Sequence, residues 1–99
     1  MCRAAAILRA KEGQEEALAA LTLEVLPEIR KVDGLHRVEV SRSLSDRGQL
    51  LLYYWWESPA HSERYVRSPV YAKILLRLEE LVEEHLLVLA EIIDGQEAL

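Results

Sequence analysis

Leu50-Leu51-Leu52-Tyr53-Tyr54-Trp55-Trp56-Glu57-Ser58-Pro59 decides how this chain folds. An apolar and aromatic run of this length is too short for a core helix. It is rich in side chains that favour extended backbone, so it reads as a strand buried on both faces. The run stops at Glu57-Ser58-Pro59, where Ser58 can cap the helix that Pro59 opens. Four of the six aromatic residues of the chain lie between Tyr53 and Trp56. An aromatic wall is therefore its most distinctive resource.

Working outward from that strand, Arg3 to Ala10 is small and apolar on both alternating faces and reads as a first, central strand. Gln14 to Val32 follows a helical rule, with Leu18, Leu21, Val25, Ile29 and Val32 on one face. Pro27 lies inside this pattern and is expected to kink or break the helix near Leu23 to Leu26. Asp33-Gly34 ends it, with Gly34 as the left-handed stop. Leu35 to Leu44 alternates, placing His36, Val38 and Val40 on one side, and Ser45 to Gly48 is a hairpin loop. After the aromatic strand comes a short helix over Ala60 to Val66. Ser68-Pro69 restarts the chain. From Val70 a longer helix carries Tyr71, Ile74, Leu78, Leu81 and Val82 on one stripe, with His85 at its end as a dipole cap. Leu86 to Ile93 is a fourth strand, apolar on both faces, and residues 96–99 are a tail.

The order βαββαβ is that of an α+β, ferredoxin-like sandwich, a four-stranded antiparallel sheet with helices on one face. The other face keeps apolar side chains from three strands. Such a patch exceeds what monomers normally expose, so two copies packed sheet to sheet, a homodimer closing toward a barrel, are expected.

Ninety-nine residues are read as one domain spanning 1–99. The net charge of −5 argues against a nucleic-acid partner. No apolar run approaches the roughly 20 residues of a membrane span, and the first residues lack the layout of a secretory signal. A single cysteine, Cys2, excludes an internal disulfide and points to the cytoplasm. The absence of Asn, with many Arg and Glu, fits a heat-adapted source.

Asp33-Gly34-Leu35 entering a strand, then Trp56-Glu57-Ser58, then Ser68-Pro69-Val70-Tyr71, resembles the antibiotic biosynthesis monooxygenase family of the dimeric α/β-barrel superfamily. The resemblance implies cofactor-independent oxidation of a small phenolic or hydroquinone-like molecule by dioxygen, in a pocket between sheet and helices. Such chemistry needs the ring bound, its deprotonation favoured and water excluded. A haem-degrading branch carries Asn, Trp and His at positions that fall here on Ala6, Tyr65 and Leu75. With neither Asn nor His in place, no cofactor is expected. Fold alone does not fix chemistry, and a non-catalytic small-molecule-binding protein is the alternative function.

Ring-binding candidates are Tyr54, Trp56 and Tyr71, against which the plain alternative is packing of a small core. Tyr65 can donate a hydrogen bond to a substrate oxygen. His36 and His61 are candidate bases. Arg9 and Arg37 can orient an anionic substrate by bidentate contact. The three histidines, His36, His61 and His85, have no metal-binding spacing, so no metal is expected.

Overall fold

The computed structural model describes residues 2–95. β1 (Cys2–Ala10), α1 (Glu15–Ile29), β2 (Leu35–Arg42), β3 (Gln49–Trp56), α2 (Pro59–Val66), α3 (Pro69–Glu79) and β4 (Val82–Glu91) follow in that order. They form a four-stranded antiparallel sheet in the order β2-β3-β1-β4, an α+β ferredoxin-like fold. The second crossover is split in two at Ser68-Pro69. The aromatic strand β3 pairs along its length with β1 on one side and β2 on the other.

Residues directly opposite in an antiparallel pair share a face. Ala4 opposite Tyr54, Leu8 opposite Leu50 and Cys2 opposite Trp56 point toward the helices. There they meet Leu18, Val25 and Ile29 of α1, Tyr65 of α2, and Ile74 and Leu78 of α3. Trp56 is 1% exposed and is the largest fully buried side chain. The other face carries Arg3 opposite Trp55, Ala5 opposite Tyr53 and Ile7 opposite Leu51. Trp55 is held between two guanidiniums, Arg3 at 5.0 Å and Arg37 at 5.4 Å from the ring centre.

Several sequence-based expectations need correction. α1 is not broken near Leu23 to Leu26, but runs through Pro27 to Ile29. Leu23 and Pro27 are both exposed, so the bond that Pro27 cannot donate is lost on the solvent side, where the Leu23 carbonyl is open to water. α1 stops at Ile29, short of Val32, so the left-handed Gly34 lies beyond it and is not its stop. α3 ends at Glu79, so Leu81 and Val82 leave the helical stripe. His85 does not end a helix. It lies in β4 opposite Leu8. A helical spacing is present there, but the free edge of β1 offers backbone partners from Ala10 onward, and the strand wins. β4 thus begins at Val82 and stops at Glu91. Its apolar residues lie on both faces as read, yet they are uncovered: Leu86 is 56% exposed and Val88 46%. The tail expected over 96–99 lies outside the described residues.

Gly34 is left-handed, with φ of 81°. A Cβ added there would lie 2.2 Å from Cδ2 of His61. Gly13 is also left-handed, with φ of 83°, but a Cβ there would meet nothing within 4 Å. Gly13→Ala should therefore cost about 1–2 kcal/mol for conformation alone. Gly34→Ala adds the clash and should cost about 3 kcal/mol or more. Denaturant unfolding measures both. Removing the ring with His61→Ala should recover part of the Gly34→Ala loss, and equal losses at the two glycines would contradict the packing.

Candidate functional site

The site grows from the junction of β2, β3 and α2. Gly34 turns the chain into β2 and its carbonyl accepts the Glu57 N–H at 2.7 Å, closing the end of β3. Ser58 is then extended, and its Oγ accepts from the His61 N–H at 3.4 Å, which caps α2. Pro59 occupies the first turn, where a missing N–H does no harm. This cap seats His61 directly over Gly34. Nδ1 of His61 lies 2.8 Å from Ser58 Oγ, and Nε2 lies 3.7 Å from Asp33 Oδ2. Arg64, one turn further along α2, reaches the same Asp33 oxygen at 3.5 Å.

His61 and Tyr65 stand on the wall of a cavity of about 510 Å³, bounded also by Val32, Arg64, Val70 and Lys73. It lies where the end of α1 meets α2 and the start of α3. A pocket of 300 Å³ or more accommodates a small organic ligand. This one qualifies.

The space between sheet and helices is different. Tyr54 and Trp56 stack with ring centres 6.1 Å apart. Tyr65 covers them, 5.5 Å from Trp56 and 6.4 Å from Tyr54, and Tyr71 meets Tyr65 edge-on at 5.0 Å. The four rings fill the interior and leave voids of about 40 and 30 Å³. Each has room for about one water molecule. Ala6, Tyr65 and Leu75 do converge, all bordering the larger void. Trp56 borders the smaller void, and its Nε1 is buried with no hydrogen-bond partner among the described residues. Tyr65 borders both voids and the outer cavity, and so forms the partition between them.

Burial raises the phenols of Tyr54 and Tyr65 well above the ordinary range, and it raises Tyr71 as well. These groups hold their protons at neutral pH. Tyr65 is accordingly a hydrogen-bond donor and not a base.

The other candidates stand apart. His36 is the extra residue of a β-bulge between Leu35 and Arg37. The bulge breaks the alternation that put it beside Val38 and Val40. It is exposed instead, with Nε2 2.6 Å from Glu57 Oε2. Arg9 pairs with Gln49, at the opposite end of β3 from Trp56. It bonds Asp46 of the hairpin, and its Nε lies 3.3 Å from Glu84 of β4. The hydrogen bond from Arg9 holds the Asp46 carboxyl below its usual range, assisted by the Gly48 N–H. Arg37 bonds Glu39 at 2.6 Å on the outer face. Of the eight residues singled out from sequence as site candidates, Tyr54, Trp56, Tyr65 and Tyr71 form one cluster, and His61 joins Tyr65 at the cavity. The sequence reading overlooked Lys31, Arg64 and Lys73. Only the spacing of Arg64, three residues after His61 on one helix, signalled any of them. Among the described residues no three His, Cys, Asp or Glu side chains gather to hold a metal ion.

A group raised on folding favours its protonated form, so its stabilising effect is complete below the unfolded value and is lost as pH rises above it. Unfolded tyrosine titrates near about 10. Stability should hold up to that pH and then fall. In a Tyr53→Phe background, tyrosinate absorbance from the buried rings should appear together with loss of near-ultraviolet circular dichroism. Absorbance that grows while the fold persists would refute their enclosure.

Residues 1–75 match the sequence pattern of the antibiotic biosynthesis monooxygenase family. No curated protein matches the chain. Among solved structures, a candidate antibiotic biosynthesis monooxygenase from Deinococcus radiodurans superposes with a TM-score of 0.89 at 20% identity, covering 100% of this chain and 99% of that one. Rv0793 from Mycobacterium tuberculosis gives 0.84 at 20% identity over 97% and 98%. PA3566 from Pseudomonas aeruginosa gives 0.82 at 16% identity over 94% of each. These likenesses concern the fold. With three quarters of its length inside the family pattern, the chain belongs to the antibiotic biosynthesis monooxygenase family.

Proposed function

We propose that this protein is a cofactor-independent monooxygenase of a small phenolic or hydroquinone-like metabolite, acting in the cavity beside His61. The observation that carries the reading is the cavity of about 510 Å³ with Tyr65 on one wall and a braced imidazole on another. The ring is placed there because the voids behind Tyr65 are too small for it.

The residues suit the chemistry. His61 takes the phenol proton at Nε2, the resulting imidazolium faces Asp33, and Ser58 at Nδ1 fixes the ring plane. Tyr65, still protonated, donates to the phenolate. The electron-rich anion then reduces dioxygen by one electron, and the radical pair recombines at a ring carbon. The peroxide loses water to leave a quinone. The balance is phenol plus dioxygen to quinone plus water, with all four electrons drawn from the substrate.

One observation favours a second reading, a non-catalytic binding protein. Lys31, Asp33, Arg64 and Lys73 at the cavity rim are exposed, and oxidation of this kind requires water to be excluded. Oxygen uptake with hydroquinone, 1-naphthol and 2-naphthol separates the two. The oxygenase reading expects turnover above buffer, reduced about 100-fold or more by His61→Ala. A phenol that binds and is recovered unchanged, with no uptake, supports the binding protein.

The same proposal includes a homodimer. Leu51, Tyr53, Leu86 and Val88 share the face that the helices leave bare, and Leu86 and Val88 are about half exposed. A single buried free thiol supports a cytoplasmic setting. No helix among the described residues is long and apolar enough to cross a membrane. Light scattering should give twice the 11.3 kDa chain mass. A Leu86→Asp, Val88→Lys variant should give the single-chain mass, and a wild-type monomer would overturn the dimer.

A further inference from the structure

We infer that the cavity beside His61 selects an aromatic ligand carrying one negative charge, a ring with a carboxylate at its edge. This rests on reading that cavity as the ligand site. It goes further in naming what distinguishes a preferred ligand from any other ring.

Charge at the rim is the first observation. The chain as a whole carries −5, yet Lys31, Arg64 and Lys73 converge on this opening from α1's end, α2 and α3. Two acids share the rim, Glu28 and Asp33. Asp33 is already engaged, with Arg64 at 3.5 Å and His61 at 3.7 Å. Lys31 and Lys73 form no ion pair with any described residue. Two uncommitted ammonium groups therefore face one uncommitted carboxylate, that of Glu28, a surplus that a single anionic group would balance. The start of α3 adds to it. Ser68 caps that helix, Pro69 opens it, and Val70 lies on the cavity wall, so the positive end of the helix faces the same space.

Polarity within the cavity is the second observation. Val32, Val70 and Tyr65 form an apolar wall, and the cations sit at the exposed rim. A ring lies against the former and its carboxylate meets the latter. A bare phosphate would use the cations and waste the wall. A neutral phenol would use the wall and leave the cations idle. Arg9 and Arg37, the arginines singled out from sequence to orient an anionic substrate, are committed elsewhere, Arg9 to Asp46 and Glu84 and Arg37 to Glu39.

The test compares 2-naphthoate, 2-naphthol and inorganic phosphate by calorimetry, with amide shifts locating the site. 2-Naphthoate should bind about tenfold more tightly than 2-naphthol at low ionic strength, with shifts at Val32 and Val70. The advantage should shrink at about 0.5 M salt. A Lys31→Met, Lys73→Met variant, on exposed positions where folding is checked by its melting temperature, should abolish the advantage and leave 2-naphthol affinity unchanged. Equal affinity for the two naphthalenes overturns the charge selection but leaves the cavity as a ring site. Binding of neither overturns the cavity reading as well. Phosphate bound as tightly as 2-naphthoate, or a naphthoate advantage that survives in the double lysine variant, overturns the inference too.

Discussion

The fit of His61 onto Gly34 is the contact on which the cavity end of the molecule depends. A left-handed turn brings the backbone under the imidazole, and no side chain could occupy that position without displacing the ring. The same turn presents the Gly34 carbonyl to the Glu57 N–H, so β2 and β3 end together. With the strands closed there, Ser58 can only continue into α2, and its hydroxyl caps the helix and touches the histidine at once. Remove the turn and the strand end, the cap and the cavity wall all lose their reference point.

Tyr65 links this corner to the core. It is buried against Trp56 and Tyr54 on one side and lies on the outer cavity wall on the other. The aromatic wealth of the chain is consequently divided between two tasks. Tyr54 and Trp56 supply most of the packing beneath α2, while Tyr65 alone borders solvent-accessible space large enough for a ring. The cluster stabilises the fold and also gives the cavity a rigid floor, because none of its members can move without opening a void beside a fully buried indole.

What could be read in the sequence was what is encoded locally. The strand around Tyr54 and the Ser58-Pro59 and Ser68-Pro69 helix starts follow from a few adjacent residues and stand in the structure, although β3 is buried on its helix side only and Gly34, left-handed as expected, lies beyond the end of α1 at Ile29. What escaped was decided by distant partners. Val82 to His85 look helical in isolation but pair with β1. His36 looks inward by alternation until a bulge turns it out. The ligand-sized space was expected between sheet and helices, where the side chains proved large enough to fill it. It lies instead at a meeting of three helix ends, which no periodicity records.

β4 is bonded to a neighbour on one edge only, and its apolar side chains are bare on both faces. A strand in that condition is adhesive, a ready template for any other extended chain. The yield of soluble material will depend on how quickly this edge and its bare faces are covered, more than on the intrinsic firmness of the core.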